Sequence, residues 1–198
     1  MMRVGLTGGV ASGKSTVSAI LVQLGAVLID ADVLAREVVA GGTPGLEAVV
    51  AEFGTELLTD DGELDRPAMG ALVFNDADAR RRLEAIVHPL VFERIVALEA
   101  QAPEDAVVVH DIPLLAESGR ADTFDAVIVV HAPYELQVDR MIQDRGWTRD
   151  EAEARIAAQA PSEERLALAT HVIDNTGSTD DLRRRVEAVH ASLHDAAA

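Results

Sequence analysis

Several residue types are scarce in this 198-residue chain, and each scarcity excludes a class of structure. There is no cysteine, which excludes disulfides, thiolate catalysis and metal ions held by cysteine. Only 3% of the residues are aromatic although 48% are hydrophobic, so the core must be aliphatic. No apolar run reaches the roughly 18 residues of a membrane span, and no signal-peptide segment follows the N-terminal methionine. We therefore expect a soluble, cytoplasmic protein.

The charge of the chain is one-sided, because 34 acidic residues oppose 17 basic ones and the formal net charge is -17. A surface of this charge repels nucleic acid and anionic membranes, so neither is expected as a partner. It also repels polyphosphates, so a phosphate site must be a local cluster of arginines and backbone amides. The length is that of one large domain, or of one domain with an inserted lid, and it leaves the oligomeric state open.

The only lysine, Lys14, lies in the stretch Arg3–Thr16, RVGLTGGVASGKST. Gly8-x-x-x-x-Gly13-Lys14-Ser15 is the spacing of a glycine-rich loop that cradles phosphates between a buried strand and a helix. Its backbone N–H groups form an anion nest, and the helix adds the positive end of its dipole. Lys14 would reach the β- and γ-phosphates and the Ser15 hydroxyl would bind Mg²⁺. The residues expected to contact the nucleotide in this stretch are Gly9, Ala11, Ser12, Gly13, Lys14, Ser15 and Thr16.

The hydrophobic pattern predicts short buried strands that alternate with helices. The strands are predicted at residues 4–7, 26–29, 106–109, 126–130 and 172–173. The helices are predicted at residues 14–24, 31–36, 46–53, 67–100 and 134–145, and after an N-cap at Ser178. We expect Pro89 to kink the segment 67–100. This order predicts an α/β protein with a five-stranded parallel sheet and helices on both faces, and the loop makes it a P-loop nucleoside-triphosphate fold.

Two features narrow the class of P-loop protein. A GTPase switch needs an Asn-Lys-x-Asp guanine reader, and the single lysine is already in the phosphate loop. Motor and transport ATPases usually carry a strand that ends in adjacent acidic residues, whereas Val109-His110-Asp111 has only one. A kinase for a small metabolite is therefore favoured. A nucleotide-dependent regulator that binds ATP and reports it to a partner is the alternative from another class.

The sequence resembles the dephospho-CoA kinase family from residue 3 to about residue 193. The matching motifs are Gly5-Leu6-Thr7-Gly8-Gly9, Ser12-Gly13-Lys14-Ser15-Thr16, Asp30-Ala31-Asp32, Ala35-Arg36, Phe53-Gly54, Asp61-Gly62-x-Leu64, Leu83-Glu84, His88-Pro89, Pro113-Leu114-Leu115-x-Glu117, Gln137-x-x-Arg140, Gln159, Arg165 and Ile173-Asp174-Asn175-x-Gly177. Ala11 stands where the family often has glycine, and Ala116 where a larger apolar residue is common. The resemblance implies that ATP phosphorylates the ribose 3′-hydroxyl of dephospho-CoA to give coenzyme A, with Mg²⁺. Nucleoside and nucleotide kinases are the alternative within the kinase class.

The resemblance divides the chain into regions. It implies a core at about residues 1–36, 104–145 and 166–195, and a helical acceptor-binding region at about 37–103. The polar segment at about 146–165, with Trp147 and few apolar residues, is expected to be a mobile helical lid. Closure of such a lid would exclude water from the reaction.

The candidate site residues follow from this assignment. Asp32 is expected to accept the proton of the acceptor hydroxyl, with a helix N-cap as its alternative role, and Thr7 to touch the reacting groups. Arg140 and Arg145 are expected to meet the charge of the phosphates, whereas surface ion pairs are the alternative for them and for Arg149. The other expected roles are acceptor binding by Asp32, Arg36, His88, Pro89 and Leu115, adenine packing by Asn175 and Gly177, and Mg²⁺ binding through water by Asp111.

Overall fold

The structure is a computed structural model, and it describes residues 1–197. The chain divides into two compact units, one of Met1–Ile29 together with the part from Ala102 onward, and one of Asp30–Gln101. The predicted boundary after residue 36 therefore differs from the structure. The reason is packing, because helix α2 (Ala31–Glu37) lies against helix α5 (Ala77–Gln101) of the second unit. No helix in residues 1–197 combines the length and the apolar character that a membrane crossing requires.

One five-stranded sheet is built from β1 (Met2–Gly8), β2 (Val27–Asp30), β3 (Val107–Asp111), β4 (Ala126–His131) and β5 (His171–Asp174), in the order β2-β3-β1-β4-β5. β1 pairs in parallel with both β3 and β4, and β4 pairs in parallel with β5. This confirms the predicted parallel sheet. Because β1 is the central strand, the loop that follows it leaves from the middle of the sheet, at the carboxyl edge where such sheets bind ligands.

Alternate residues of β4 pack into separate apolar clusters, as the period of two in a strand requires. Ala126, Ile128 and Val130 pack with helices α1 (Lys14–Gln23) and α10 (Thr179–Ala197). Val127 and Val129 pack with Leu115 in the other cluster. The sheet is thus covered on both faces, as predicted. Each fully buried aliphatic side chain contributes roughly 1.5–3 kcal/mol of transfer free energy.

The rest of the first unit contains α6 (Leu115–Ser118), α7 (Tyr134–Arg145), α8 (Arg149–Ala157) and α9 (Ser162–Ala167). The predicted lid spans α8 and most of α9. It has an apolar face after all, because Ala152 is buried and Ile156 packs beside it, against Met141 of α7. Trp147, Ala152 and Ile156 of this segment belong to the cluster, and so few apolar residues over this length give no strong stripe in the sequence pattern. The mobility of this segment stays a prediction.

The second unit contains α2, α3 (Pro44–Phe53), α4 (Arg66–Asn75) and α5 around an aliphatic cluster. The predicted helical segment 67–100 is two helices, since the chain breaks at Asp76. The Asp76 carboxylate accepts hydrogen bonds from the backbone N–H groups of Ala79 and Asp78, and these bonds lower its pKa. α5 runs on through Pro89, which has no N–H to donate to the helix, and the kink expected at this residue stays a prediction.

Candidate active site

The loop between β1 and α1 has a backbone that only certain residues allow. Gly13 has a φ of 92°, in the left-handed region that glycine adopts without strain. A Cβ at this position would also collide with the side-chain nitrogen of Asn175. Ala11 adopts a positive φ of 56°, which costs a residue with a Cβ about 1–2 kcal/mol. The loop therefore keeps this conformation although the backbone of Ala11 is strained.

A cavity of about 610 Å³ opens over this loop, within the usual range for small-molecule sites. Five stretches that are separate in the sequence contribute to it. Its lining residues are Gly8–Thr16, Pro113, Arg140, Asp144, Arg145, Gln159, Asn175, Gly177, Thr179 and Leu182. All residues that the sequence predicts to bind nucleotide are thus brought to one cavity.

Lys14 forms an ion pair with Asp111, which ends β3 and lies beside Leu6 of β1. The Asp111 side chain is only 7% exposed, so this pair is shielded from solvent on the carboxylate side. An ammonium group has three N–H donors, so Lys14 can bind a phosphate oxygen while it keeps Asp111. The pair directs the only lysine of the chain toward the loop cavity.

Arg140 and Asn175 hold the loop by its carbonyl groups. Arg140 Nη1 donates to the carbonyls of Ala11 and Ser12 at 3.1 and 3.3 Å. Its Nη2 donates to the Asn175 carbonyl at 2.8 Å, and Asn175 Nδ2 donates to the Ser12 carbonyl at 2.8 Å. The guanidinium therefore lines the cavity and fixes the loop at the same time.

The comparisons with known proteins agree with this geometry. A model of the dephospho-CoA kinase family matches residues 2–181. The chain belongs to the dephospho-CoA kinase family. Members of this family use ATP to phosphorylate dephospho-CoA to coenzyme A, the last step of coenzyme A biosynthesis. This chain is accordingly a kinase of the transferase class, which acts on the 3′-hydroxyl of dephospho-CoA.

Individual relatives are similar along almost the whole chain. The dephospho-CoA kinase of Streptomyces avermitilis is 57% identical, over 98% of this chain and 94% of that protein. That of Thermobifida fusca is 50% identical, over 98% of this chain and 96% of that protein. The solved dephospho-CoA kinase from Campylobacter jejuni is 30% identical, with a TM-score of 0.72 and 98% of each chain covered. A shikimate kinase from Acinetobacter baumannii, 16% identical with a TM-score of 0.51 over 97% of this chain and 94% of that one, shows the shared fold alone.

The two further arginines of this dephospho-CoA kinase family member differ in position. Arg145 lines the cavity, and its guanidinium lies 5.3 Å from the centroid of the Trp147 ring. Arg149 is absent from the cavity lining and pairs with Glu135 and Glu153 at 2.7 and 2.8 Å. The surface ion pair is thus the observed role of Arg149, whereas the phosphate contact expected of Arg145 stays a prediction.

Two expected site residues are core residues in the structure. The side chain of Leu115 is fully buried beside Val127 and Val129, so a contact with the acceptor is excluded in this conformation. Thr7 is also fully buried, and its hydroxyl donates to the Pro113 carbonyl at 3.3 Å. The expectation for Thr7 came from its position at the end of a strand, and that for Leu115 came from the family resemblance. The direction of each side chain, which follows from packing, places them inside.

The remaining acceptor-side residues lie in the second unit and are exposed there. Asp30, not Asp32, is the N-cap of α2, since its carboxylate accepts from the N–H groups of Asp32 and Val33 at 2.9 and 3.1 Å. The alternative capping role of Asp32 is therefore excluded. The exposed expected residues of this unit are Asp32, Arg36, His88 and Pro89.

Sequence reasoning gave no role to Gln159 and Arg165, although both belong to the matching motifs. Gln159 Oε1 accepts a hydrogen bond from the loop N–H of Val10 at 2.8 Å. Arg165 is only 5% exposed, and burial lowers its pKa. A Cβ at Gly9 would lie 2.8 Å from Arg165 Nη2 and 2.6 Å from the side-chain nitrogen of Gln137, so a larger residue here would have to displace the ends of these two side chains. The sequence signal for these contacts was a glutamine and an arginine within a segment that was interpreted only as a lid.

Proposed function

We propose that the cavity over the loop binds ATP with Mg²⁺, and that Lys14, Arg140 and Arg145 meet the charge of the phosphates. The convergence of these three cations with the loop on one cavity carries this proposal. Because the chain has a net charge of -17, a polyphosphate can bind only where basic groups are concentrated, and this cluster provides such a place. Asn175 and Gly177 belong to the same lining and are proposed to pack against the adenine.

The donor set of the site fits Mg²⁺, which prefers oxygen ligands and keeps several waters beside phosphate oxygens. Ser15 offers a hydroxyl in the first turn of α1, and Asp111 offers a carboxylate at the end of β3. We propose that Ser15 holds the ion directly and Asp111 through water. When bound, Mg²⁺ neutralises charge on the β- and γ-phosphate oxygens.

The transfer step requires a place for the proton of the acceptor hydroxyl. We propose that the Asp32 carboxylate takes this proton as the ribose 3′-oxygen forms its bond to the γ-phosphorus. The bond from that phosphorus to the bridging oxygen breaks, and ADP leaves. Asp32 is exposed and Asp30 caps α2, so the Asp32 carboxylate is not occupied by the helix.

Acceptor binding is proposed for residues of the second unit. Arg36 is an exposed cation one turn after Asp32 and can form a bidentate contact with an acceptor phosphate. His88 and Pro89 are exposed on α5 and are proposed to contact dephospho-CoA as well.

Because the reaction consumes ATP and the chain has no cysteine, we propose the cytoplasm as the place of the reaction.

The deciding experiment measures ADP release from ATP with and without dephospho-CoA, and with and without Mg²⁺. We expect strong stimulation by the acceptor, a product heavier by one phosphate in mass spectrometry, and loss of turnover when Mg²⁺ is chelated. Lys14→Arg should lose most of this turnover and keep the fold, because a guanidinium is bulkier than the ammonium that lines the cavity and pairs with Asp111. ATP binding without acceptor-stimulated turnover would instead indicate a nucleotide-dependent regulator.

A further inference from the structure

The backbone N–H of Val10, in the phosphate loop, already donates a hydrogen bond to a side chain that lines the cavity. Gln159 Oε1 accepts its hydrogen bond at 2.8 Å, and both residues line the cavity over the loop. The N–H groups of such a loop are the donors that bind phosphate oxygens. One N–H makes one strong hydrogen bond, so the Gln159 side chain and a phosphate oxygen compete for this donor.

The backbone next to Gln159 is anchored independently of its side chain. The N–H of Ala160 donates to a carboxylate oxygen of Glu117 at 2.7 Å. The carbonyl of Ala160 accepts a hydrogen bond from Arg165 Nη1. The segment between α8 and α9 therefore keeps its position when the Gln159 side chain leaves Val10.

A second cavity offers the displaced side chain a place. It has a volume of about 550 Å³, and Gln159 lines both this cavity and the one over the loop. Its polar lining residues include His131, Tyr134 and Ser162, which can bond a carboxamide. If the Gln159 side chain rotates, it gives up its hydrogen bond with the Val10 N–H and can form hydrogen bonds with polar side chains of the second cavity instead.

We infer that Gln159 is a positioning residue that occupies the Val10 N–H until ATP displaces it into the second cavity. This inference rests on the proposed binding of ATP phosphates at the loop. A phosphate oxygen is charged and forms a hydrogen bond roughly twice as strong as a neutral carboxamide does, so ATP prevails. Because ATP must first break the hydrogen bond between the Val10 N–H and Gln159, this bond lowers the affinity for ATP.

The test compares ATP binding by calorimetry, and the KM for each substrate, in four variants. Gln159→Ala and Gln159→Met remove the acceptor, and Met keeps the length of the side chain. Both should tighten ATP binding by about 2- to 12-fold, the range of one displaced hydrogen bond. Gln159→Glu should weaken it, because a carboxylate holds the N–H more strongly and repels phosphate. Gln143→Ala, at an exposed position of α7, is the matched control and should bind ATP as the parent enzyme does.

The inference also predicts which kinetic constant changes. The KM for ATP should fall in Gln159→Ala and Gln159→Met, whereas the KM for dephospho-CoA should stay constant. Unchanged or weaker ATP binding in both variants would overturn the inference, and so would an equal change in both KM values. Failure of the parent enzyme to bind ATP would instead overturn the proposed function, so the two failures are distinguishable.

Discussion

Asn175 donates from its side chain to the carbonyl of Ser12 at 2.8 Å, although 163 positions separate the two residues in the sequence. The contact joins the segment after the last strand of the sheet to the phosphate loop after the first. Asn175 is buried, and its own carbonyl accepts from Arg140 at 2.8 Å. A residue predicted to pack against the adenine thus also has a direct structural role in the loop.

Asn175→Ala is expected to lower the free energy of unfolding by about 1–3 kcal/mol, because it leaves a buried loop carbonyl with fewer donors. The affinity for ATP should fall in the same variant, since the loop loses part of its support. Urea denaturation and calorimetry measure the two effects. Asn75→Ala is the matched control, because Asn75 makes a similar 2.8 Å bond to the Ala71 carbonyl at an exposed position of α4. An equal loss of stability in both variants would contradict this role of Asn175.

Arg140→Ala is expected to reduce kcat by on the order of 10²- to 10³-fold, the effect of removing one electrostatic donor from a transition state. Affinity for ATP should fall by a smaller factor, although the loop carbonyls of Ala11 and Ser12 lose a partner. Steady-state kinetics and direct ATP binding separate these effects. Arg149→Ala, which breaks only exposed ion pairs, should leave kcat unchanged. A loss confined to ATP affinity would make Arg140 a clamp of the ground state.

Asp32→Asn is expected to reduce kcat by on the order of 10²-fold or more while ATP binding is kept, because the acceptor hydroxyl loses its general base. A variant of the nearby Asp30 separates the loss of a general base from the loss of a helix N-cap. Asp30→Ala should cost about 1 kcal/mol of stability, the usual value of an N-cap. Single-turnover kinetics and thermal unfolding measure the two variants. Near-normal turnover of Asp32→Asn would rule out the proposed proton transfer.

Ala11→Gly is expected to stabilise the fold by roughly 0–1.6 kcal/mol. It relieves about 1–2 kcal/mol of left-handed backbone strain, and the more flexible unfolded chain offsets about 0.4–1 kcal/mol of that gain. Ala158→Gly is the control at an ordinary φ of -78° and should destabilise the protein. Urea denaturation of both variants checks the sign, and a clear destabilisation by Ala11→Gly would show that the loop tolerates the alanine without strain.

Acid should destabilise the protein partly through His190 on α10. Burial, and then the charge of His194, lower the pKa of His190 below its usual value of 6.5. The folded state thus prefers the neutral ring, and this contribution is full above pH about 6.5 and is lost as the pH falls through the lowered pKa. We expect the Tm of the parent protein to drop more between pH 7.5 and 5.5 than that of His190→Gln. Parallel pH profiles in differential scanning fluorimetry would exclude a contribution from His190.

The sequence alone determined those features whose causes are local. The loop shape follows from the spacing of Gly8, Gly13 and Lys14, because positive φ angles and inward N–H groups are properties of a few adjacent residues. The strands follow from β-branched runs such as 107–109, whose side chains are buried on both faces of a parallel sheet. The N-cap at Ser178 is of the same kind, since its hydroxyl accepts from the nearby N–H of Asp181 at 3.2 Å.

Only the tertiary structure decided which distant residues meet and which way their side chains point. It brings Arg140 and Gln159 to loop atoms more than 120 positions earlier in the chain, which no local pattern encodes. It also buries Leu115 and leaves Leu114 half exposed, because the direction of a side chain after a strand depends on what packs beneath it. The unit to which α2 belongs was decided in the same way, by its contact with α5. Such pairings follow from strand order and core packing, whereas periodicity and motif spacing describe neighbours along the chain.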